Sequence, residues 1–140
     1  MQHCHVVVVS RGAKGCSARN RSGEVGISPA CMVQVRHSQQ SWCVVLTYSA
    51  QVVDTVGAGD YFTGGFLAAY LQVRWVTAQL SCSYDCAQGA SLQQAAVCGC
   101  ISGTAAVQSQ GAMLTQEASA AVQQQINKVL VGVLLHHIHT

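Results

Sequence analysis

The sequence predicts an α/β fold, because a β-branched run, a glycine-containing turn and helical periodicity follow one another along the chain. Residues 6–9 are four consecutive valines, a run typical of a buried strand. Residues 16–34 suit a hairpin or loop, and residues 51–56 suit a strand end or loop. Small and apolar residues then recur at helical intervals in three segments, residues 61–72, 89–108 and 116–130. Gly111 is expected to end the second helix.

The composition indicates one small domain and disfavours several classes of partner. The chain has 140 residues, of which 50% are hydrophobic and 9% are charged, whereas about 25% charged is usual. The net charge is +2 without any run of Lys or Arg, so no nucleic-acid partner is expected. The N-terminus lacks a secretory signal, and the apolar stretch at residues 129–135 is shorter than the ~20 residues of a membrane span. We expect a soluble intracellular protein with no membrane partner; the oligomeric state is not predicted.

Eight cysteines raise the question of disulfides or a zinc site. Their spacing supports neither, because no CxxC pair occurs. Cys98 and Cys100 are separated by a single residue, and the pair Cys82 and Cys86 has no matching second pair. The expectation is therefore free thiols, either buried or incidental.

The segment that points to chemistry is residues 54–67, which reads DTVGAGDYFTGGFL. Here Ala58 and the glycines lie at the start of a predicted helix, where backbone N–H groups lack acceptors and the helix dipole is positive. Gly57 and Gly59 would let a phosphate approach the backbone closely. Asp60, beside such an anion hole, would be placed to accept a proton from an attacking hydroxyl. On these residues alone, a glycine-rich turn with Asp60 as helix N-cap is an equally good interpretation.

The same segment resembles the C-terminal signature of the ribokinase/pfkB kinase family, D-T-x-G-A-G-D-x-F-x-x-G-F-L. The resemblance implies a ribokinase-like, doubly wound sheet with flanking helices, of which this chain would be the C-terminal portion only. It also implies that Gly57, Ala58 and Gly59 form the anion hole and that Asp60 is the catalytic base. The positions that it assigns to a monovalent cation, usually potassium, are Asp54, Val56, Ala106, Ser109, Gly111 and Thr115.

Two flanking segments extend the resemblance in the right order. Residues 6–16 are similar to the family pattern V-T-x-G-x-K-G, which borders the nucleotide. Residues 98–112 are similar to F-A-N-A-A-G-A-L-A-V-T-R-P-G-A, which closes the adenine pocket. The positions implied to lie near ATP are Gly12, Gly15, Cys100 and Gly103. Cys100 departs from the pattern, because Asn or His is common there.

The resemblance implies transfer of the γ-phosphoryl group of Mg-ATP to a hydroxymethyl group of a small sugar or nucleoside, with potassium as activator. The sugar-binding part of the family and its magnesium-linked N-x-x-E motif have no counterpart in this sequence. A non-catalytic, kinase-like regulatory protein or an inactive truncated fragment is therefore the alternative. A dinucleotide-binding Rossmann protein is disfavoured, since no G-x-G-x-x-G follows the first strand.

The predicted organisation is a partial kinase domain over residues 1–115, followed by a C-terminal helix and tail over residues 116–140. Two stretches interrupt the match to the family, near residues 35–51 and 73–88. Each begins with Val-Arg and ends with Ala-Gln, and removing both leaves continuous family-like sequence. Two hypotheses stay open for these stretches: introns retained and translated in frame, or surface loops, which cost little entropy to lengthen.

Overall fold

The computed structural model describes residues 4–29, 35–36, 43–44, 51–79 and 90–134. The strands in these ranges are β1 (Val6–Ser10), β2 (Cys16–Asn20), β3 (Val25–Ser28), β4 (Val35–Arg36) and β5 (Cys43–Val44). The helices are α1 (Ala58–Gln79), α2 (Leu92–Val107) and α3 (Gln116–Leu134), and a 3-10 helix covers Gly12–Lys14. The predicted α/β content, with a first strand and three later helices, is confirmed, and the segment left open as a hairpin or a loop contains the paired strands β2 and β3. The expectation that the valine run is a buried strand is wrong. Successive side chains of a strand point to opposite faces, so only Val6 and Val8 pack against the core, while Val7 and Val9 are exposed.

Strands β1, β2 and β3 form an antiparallel meander. Residues 11–15 and 21–24 join them, and connections this short allow only antiparallel neighbours. The doubly wound parallel sheet that the resemblance implied is therefore not formed by the described strands. Strands β4 and β5 pair with each other inside the first stretch that interrupts the family match.

The turn between β2 and β3 fixes how the sheet meets α2. Gly23 has φ of 91°, a conformation that favours glycine. Asn20 accepts the N–H of Glu24 and donates its own amide to the Glu24 carboxylate, both at 2.9 Å. The other carboxylate oxygen of Glu24 accepts the N–H of Leu92, at 2.8 Å. A negative charge thus lies at the positive end of α2, where it is stabilising.

Helix α2 is central and packs against β2, β3, α1 and α3. It begins with a capping box, in which Ser91 Oγ accepts the N–H of Gln94 (3.3 Å) and Gln94 Oε1 accepts the N–H of Ser91 (2.8 Å). Its last residue is Val107, so it ends before Gly111, which lies in the turn that follows. Its small buried residues are Ala95, Ala96, Cys98, Gly99, Cys100, Ser102 and Ala106.

Helices α1 and α2 touch through glycines. A Cβ added to Gly65 would overlap Ser102 Oγ and lie 2.9 Å from the Cys98 carbonyl oxygen. A Cβ added to Gly99 would lie 2.9 Å from the ring of Phe62. Because real Cβ atoms do not approach other atoms so closely, this helix pair needs glycine at both positions. The principal apolar core consists of Ala18, Phe66, Ala69, Leu92, Ala95, Val97, Cys98, Ile101, Ile126 and Val129.

Two helices are longer than predicted. Helix α1 begins three residues before the expected segment 61–72 and ends seven residues after it, so it includes residues 73–79 of the second interrupting stretch. Residues 80–89 lie outside the described ranges. Helix α3 continues to Leu134, beyond the expected end at residue 130. None of the helices in the described part of the chain combines the length and apolar character needed to cross a membrane.

The side chain of Gln93 covers the outer edge of β3. Its Oε1 accepts the N–H of Ile27 at 2.8 Å, and its Nε2 donates to the carbonyl of Ile27 at 2.6 Å. Strand β3 also lies against the first turn of α2, because a Cβ on Gly26 would be 2.5 Å from the carbonyl carbon of Leu92. The sheet and the central helix are therefore joined by direct hydrogen bonds and by close backbone contact.

Candidate active site

The turn before α1 depends on Gly57. Its φ is 77°, which favours glycine, and a Cβ there would lie 3.4 Å from the carbonyl oxygen of Ala112. The Gly57 carbonyl accepts the N–H of Tyr61 at 3.0 Å, which is the first hydrogen bond of the helical pattern. The glycine therefore both reverses the chain and lets the later turn, around Ala112, pack against the helix start.

Free backbone donors lie in the first turn of α1. The N–H of Ala58 donates to the Thr55 carbonyl at 3.3 Å. The N–H groups of Gly59 and Asp60 have no acceptor among the described residues. A Cβ at Gly59 would meet nothing within 4 Å, so the approach to these donors is open. Two free donors at the positive end of a helix can bind an anion such as a phosphoryl group.

Asp60 is the third residue of α1 and is exposed. It is therefore not the N-cap, which was the alternative interpretation of the motif. Its carboxylate has no hydrogen-bond partner within the described ranges, so its oxygens are available to accept a proton or a hydrogen bond. The first turn of α1 thus presents an anion-binding backbone and a free carboxylate on neighbouring residues.

Asp54 connects the loop before α1 to the turn after α2. One carboxylate oxygen accepts the N–H of Val56 and the other accepts the N–H of Gly111, both at 3.0 Å. These bonds, from Val56 first and Gly111 second, lower the pKa of Asp54 below its ordinary value. The backbone N–H groups of Val53 and Asp54 both donate to the Val107 carbonyl, at 2.7 and 3.2 Å. The two loops are therefore held together by backbone and side-chain bonds.

Tyr61 contributes a contact that the sequence did not predict. Its hydroxyl oxygen accepts the N–H of Leu114 at 2.9 Å. With Asp54 on Gly111 and Gly57 against Ala112, this gives three contacts between residues 54–61 and residues 111–114. Tyr61 occupies the variable position of the family signature, so the pattern carried no signal for its role.

The six positions implied for a cation lie on these two loops, in the last turn of α2 (Ala106) and immediately before α3 (Thr115). Asp54 and Gly111 are brought into direct contact. The Ala106 carbonyl accepts the N–H groups of Gln108 and Ser109, and Thr115 Oγ1 accepts the N–H of Ala118 at the start of α3. The described residues contain no group of three or more His, Cys, Asp or Glu able to hold a metal ion. A cation site here would therefore rest on Asp54 and carbonyl oxygens, and it stays a prediction.

The four positions implied to lie near ATP have different environments. Gly12 is exposed with φ of 53°, and Gly15 is buried with φ of 80°. Gly103 underlies the start of α1, because a Cβ there would be 3.2 Å from the Ala58 carbonyl oxygen. Cys100 is in the interior, with its thiol directed to Cys16. Their contacts with a nucleotide remain predictions.

Comparison with known proteins identifies the class. The family model for pfkB family carbohydrate kinases matches residues 1–119, which is most of the chain. The chain therefore belongs to the pfkB family of carbohydrate kinases. None of the curated proteins matches it.

Solved kinases share the fold. A probable sugar kinase from Rhizobium etli matches with a TM-score of 0.56 and 24% identity, over 89% of this chain and 28% of its own. A nucleoside kinase from Methanocaldococcus jannaschii, an archaeal member of the ribokinase family, matches with a TM-score of 0.54 and 17% identity, over 88% and 31%. An aminoimidazole riboside kinase from Salmonella enterica, complexed with its riboside and an ATP analogue, gives 0.48 and 26%, over 91% and 32%. The fold is ribokinase-like, and the chain spans less than a third of the length of these kinases.

Proposed function

We propose that this chain provides the phosphate-binding and catalytic end of an ATP-dependent kinase that phosphorylates a hydroxymethyl group of a sugar or nucleoside. The observation that carries the proposal is the first turn of α1. There, two N–H groups without acceptors in the described part of the chain adjoin the exposed carboxylate of Asp60. Membership of a carbohydrate kinase family supports the same chemistry.

Each residue of the turn has a distinct role in this proposal. Asp60 acts as general base and takes the proton from the acceptor hydroxyl as its oxygen attacks the γ-phosphorus. The N–H groups of Gly59 and Asp60 donate to the phosphoryl oxygens, where negative charge develops in the transition state. Gly57 and Ala58 shape the turn, and Gly59 leaves it open because it has no side chain. The contacts to residues 111–114 hold the turn in place before the substrates arrive.

The proposal includes Mg-ATP as donor and potassium as activator. The described residues hold no group of three or more His, Cys, Asp or Glu, so the phosphates of ATP and residues outside the described ranges would hold the magnesium ion. The donor set fits potassium, because Asp54 has a lowered pKa and the other implied ligands are oxygen atoms. A potassium ion bound there would add positive charge beside the anion hole.

A second candidate is a non-catalytic, kinase-like regulatory role, or inactivity of this chain on its own. The observation that favours it is the short coverage, since the chain aligns with 28% and 31% of the two most similar folds described above. The phosphate acceptor would then have to be bound by residues outside this sequence. Both candidates predict nucleotide binding at the start of α1, and only the first predicts turnover.

The test compares Asp60→Asn with Glu117→Gln in the longest kinase chain that contains this sequence. Glu117 is a suitable control because it is also an exposed carboxylate in the first turn of a helix. ATP consumption is measured against a panel of sugars and nucleosides, with and without potassium, and ATP binding is measured separately. We expect Asp60→Asn to bind ATP normally but to turn over ~100-fold more slowly or worse, the usual contribution of a general base.

The outcomes separate the two candidates. Turnover by the wild type that Asp60→Asn loses and Glu117→Gln keeps would support the kinase proposal. Unchanged turnover in Asp60→Asn would remove this carboxylate from the mechanism. ATP binding without turnover for any acceptor would favour the regulatory role.

A further inference from the structure

Two cysteines from distant parts of the sequence meet in the interior. Cys16 opens β2 and Cys100 lies in the middle of α2, and their sulfur atoms are 3.6 Å apart. The residues are 84 positions apart in the chain, so the contact links the sheet directly to the central helix. A disulfide has an S–S distance of about 2.05 Å, so closure would require an approach of roughly 1.5 Å. Rotation of the two side chains would have to supply that movement.

The surroundings hold both thiols in this arrangement. Cys16 is 0% exposed and Cys100 is 6% exposed, and both belong to a small buried cluster with Ala96. Cys16 Sγ is 3.8 Å from the carbonyl oxygen of Ala96, and Cys100 Sγ is 3.9 Å from that of Ser28. Each thiol therefore has a weak acceptor besides its partner. Neither cysteine takes part in the phosphate chemistry proposed above.

The two thiols differ in acidity. The hydrogen bond with Cys16 stabilises the thiolate of Cys100 and lowers its pKa to about 7, against the opposing effect of burial. The hydrogen bond with Cys100, together with burial, raises the pKa of Cys16. One thiol of the pair is thus ionised more readily than the other, and we assign that role to Cys100, which is also the less completely buried residue. This is the division between attacking and resolving thiols that stepwise oxidation requires.

We propose that Cys16 and Cys100 form an oxidation site, at which a small hydroperoxide converts the two thiols into a disulfide between β2 and α2. Burial restricts the oxidant to a small molecule such as hydrogen peroxide, because Cys16 is fully buried and Cys100 is only 6% exposed. The oxidation requires neither bound ATP nor Asp60, although Cys100 is one of the positions that the family resemblance implies near the nucleotide.

The chemistry balances in two steps. The Cys100 thiolate attacks one peroxide oxygen, the O–O bond breaks, and the departing hydroxide takes up a proton to become water. Cys100 is then a sulfenic acid. The sulfur of Cys16 attacks the sulfenic sulfur, the S–S bond forms, and the hydroxyl leaves with the proton of Cys16 as a second water. The thiol pair has lost two electrons, and the peroxide has gained them.

The chain contains a matched control. Cys98 is also buried on α2, two residues from Cys100, and burial raises its pKa to about 12. Its thiol has no hydrogen-bond partner among the described residues. Cys98 and Cys100 are both buried and both lie on α2, so Cys100 differs from Cys98 in its closeness to Cys16. Cys4 is exposed and reports that the oxidant is active.

The experiment treats the folded 140-residue chain with hydrogen peroxide, blocks the remaining thiols after denaturation, and maps the cysteines by mass spectrometry without reduction. Trypsin releases Cys16 on a short peptide, residues 15–19, that holds no other cysteine. We expect that peptide to be linked to the one containing Cys100, with a mass about 2 Da below the sum of the two peptides. Fragmentation of the linked pair in the wild type assigns the partner without any variant.

Cysteine-to-serine substitutions provide a second test of the disulfide link. In Cys100→Ser the link to Cys16 should be lost, and in Cys98→Ser it should persist. The proposal is overturned if Cys16 stays free at a peroxide dose that oxidises Cys4. It is also overturned if fragmentation assigns the link to Cys98, or if the link survives in Cys100→Ser.

Discussion

The contact between α1 and α2 makes a sharp prediction, because two adjacent glycines of α1 have opposite surroundings. A Cβ on Gly65 would overlap Ser102 Oγ, and it would be 2.8 Å from Ser102 Cβ and 2.9 Å from the Cys98 carbonyl oxygen. A Cβ on Gly64 would meet nothing within 4 Å. Gly65→Ala therefore tests the packing of the two helices, and Gly64→Ala is its matched control.

The expected change in the free energy of unfolding follows from two opposing effects. Replacing glycine by alanine inside a helix stabilises the fold by about 1 kcal/mol through helix propensity. Overpacking costs about 1–3 kcal/mol, and the upper end applies at Gly65 because the Cys98 carbonyl belongs to the backbone and cannot move freely. We expect Gly65→Ala to lower the free energy of unfolding by ~2 kcal/mol. Gly64→Ala should raise it by up to ~1 kcal/mol.

Urea unfolding followed by far-UV circular dichroism measures both values. Because each substitution carries the same propensity gain, the difference of ~3 kcal/mol between the two variants isolates the clash. Equal effects of the two substitutions, or a stabilising Gly65→Ala, would show that α1 and α2 are not in the close contact described. Gly103 of α2 would then not underlie the start of α1 as described.

Three further predictions concern the loops and the helix ends. Tyr61→Phe leaves the Leu114 N–H without its acceptor, so amide exchange at Leu114 should accelerate and stability should fall by about 1–3 kcal/mol. The control Tyr70→Phe should change neither, since the Tyr70 hydroxyl has no partner among the described residues. The pKa of Asp54 is lowered in the folded state, so its stabilising effect is present above the unfolded pKa and lost as pH falls through the folded one. Asp54→Asn should therefore be less stable than wild type near neutral pH, and thermal unfolding at decreasing pH should show the difference vanishing below the ordinary value of 3.8. Ser91→Ala removes a helix cap and should cost about 1 kcal/mol in urea unfolding.

Local sequence signals predicted which strands and helices form better than they predicted the residues at which these begin and end. The valine run became β1, and the helix after residue 57 formed as expected. Its start was placed three residues late because several glycines there weaken helix propensity in isolation. The fold overrides that weakness, since Gly65 is needed where α1 meets Ser102. Its end was placed seven residues early because residues 73–88 were interpreted as an interruption of the family match. The meander of β2 and β3 was left open as a hairpin or loop, because its pairing depends on contacts with α2.

The roles of the individual site residues stay predictions, and the contacts between those residues were not predicted. Asp54 and Gly111 were both named as cation positions, yet the hydrogen bond between them joins residues 57 positions apart and leaves no local pattern. Tyr61 was missed because it occupies a position that the family signature does not specify. The contact between Cys16 and Cys100 was missed for the same reason as the hydrogen bond between Asp54 and Gly111. Spacing along the chain does not show which distant residues meet in the fold.

The pairing of Gln93 with Ile27 has a consequence for self-association. A primary amide carries the same donor and acceptor as a peptide group, so Gln93 occupies the positions that a neighbouring strand would use at this point of β3. An incoming polypeptide would have to displace that side chain and the first turn of α2 behind it. Within the described ranges, no side chain pairs with the outer edge of β1 in this way. In this part of the chain the meander can therefore be lengthened more easily beside β1 than beside β3, and the risk of edge-to-edge aggregation is lower on the α2 side.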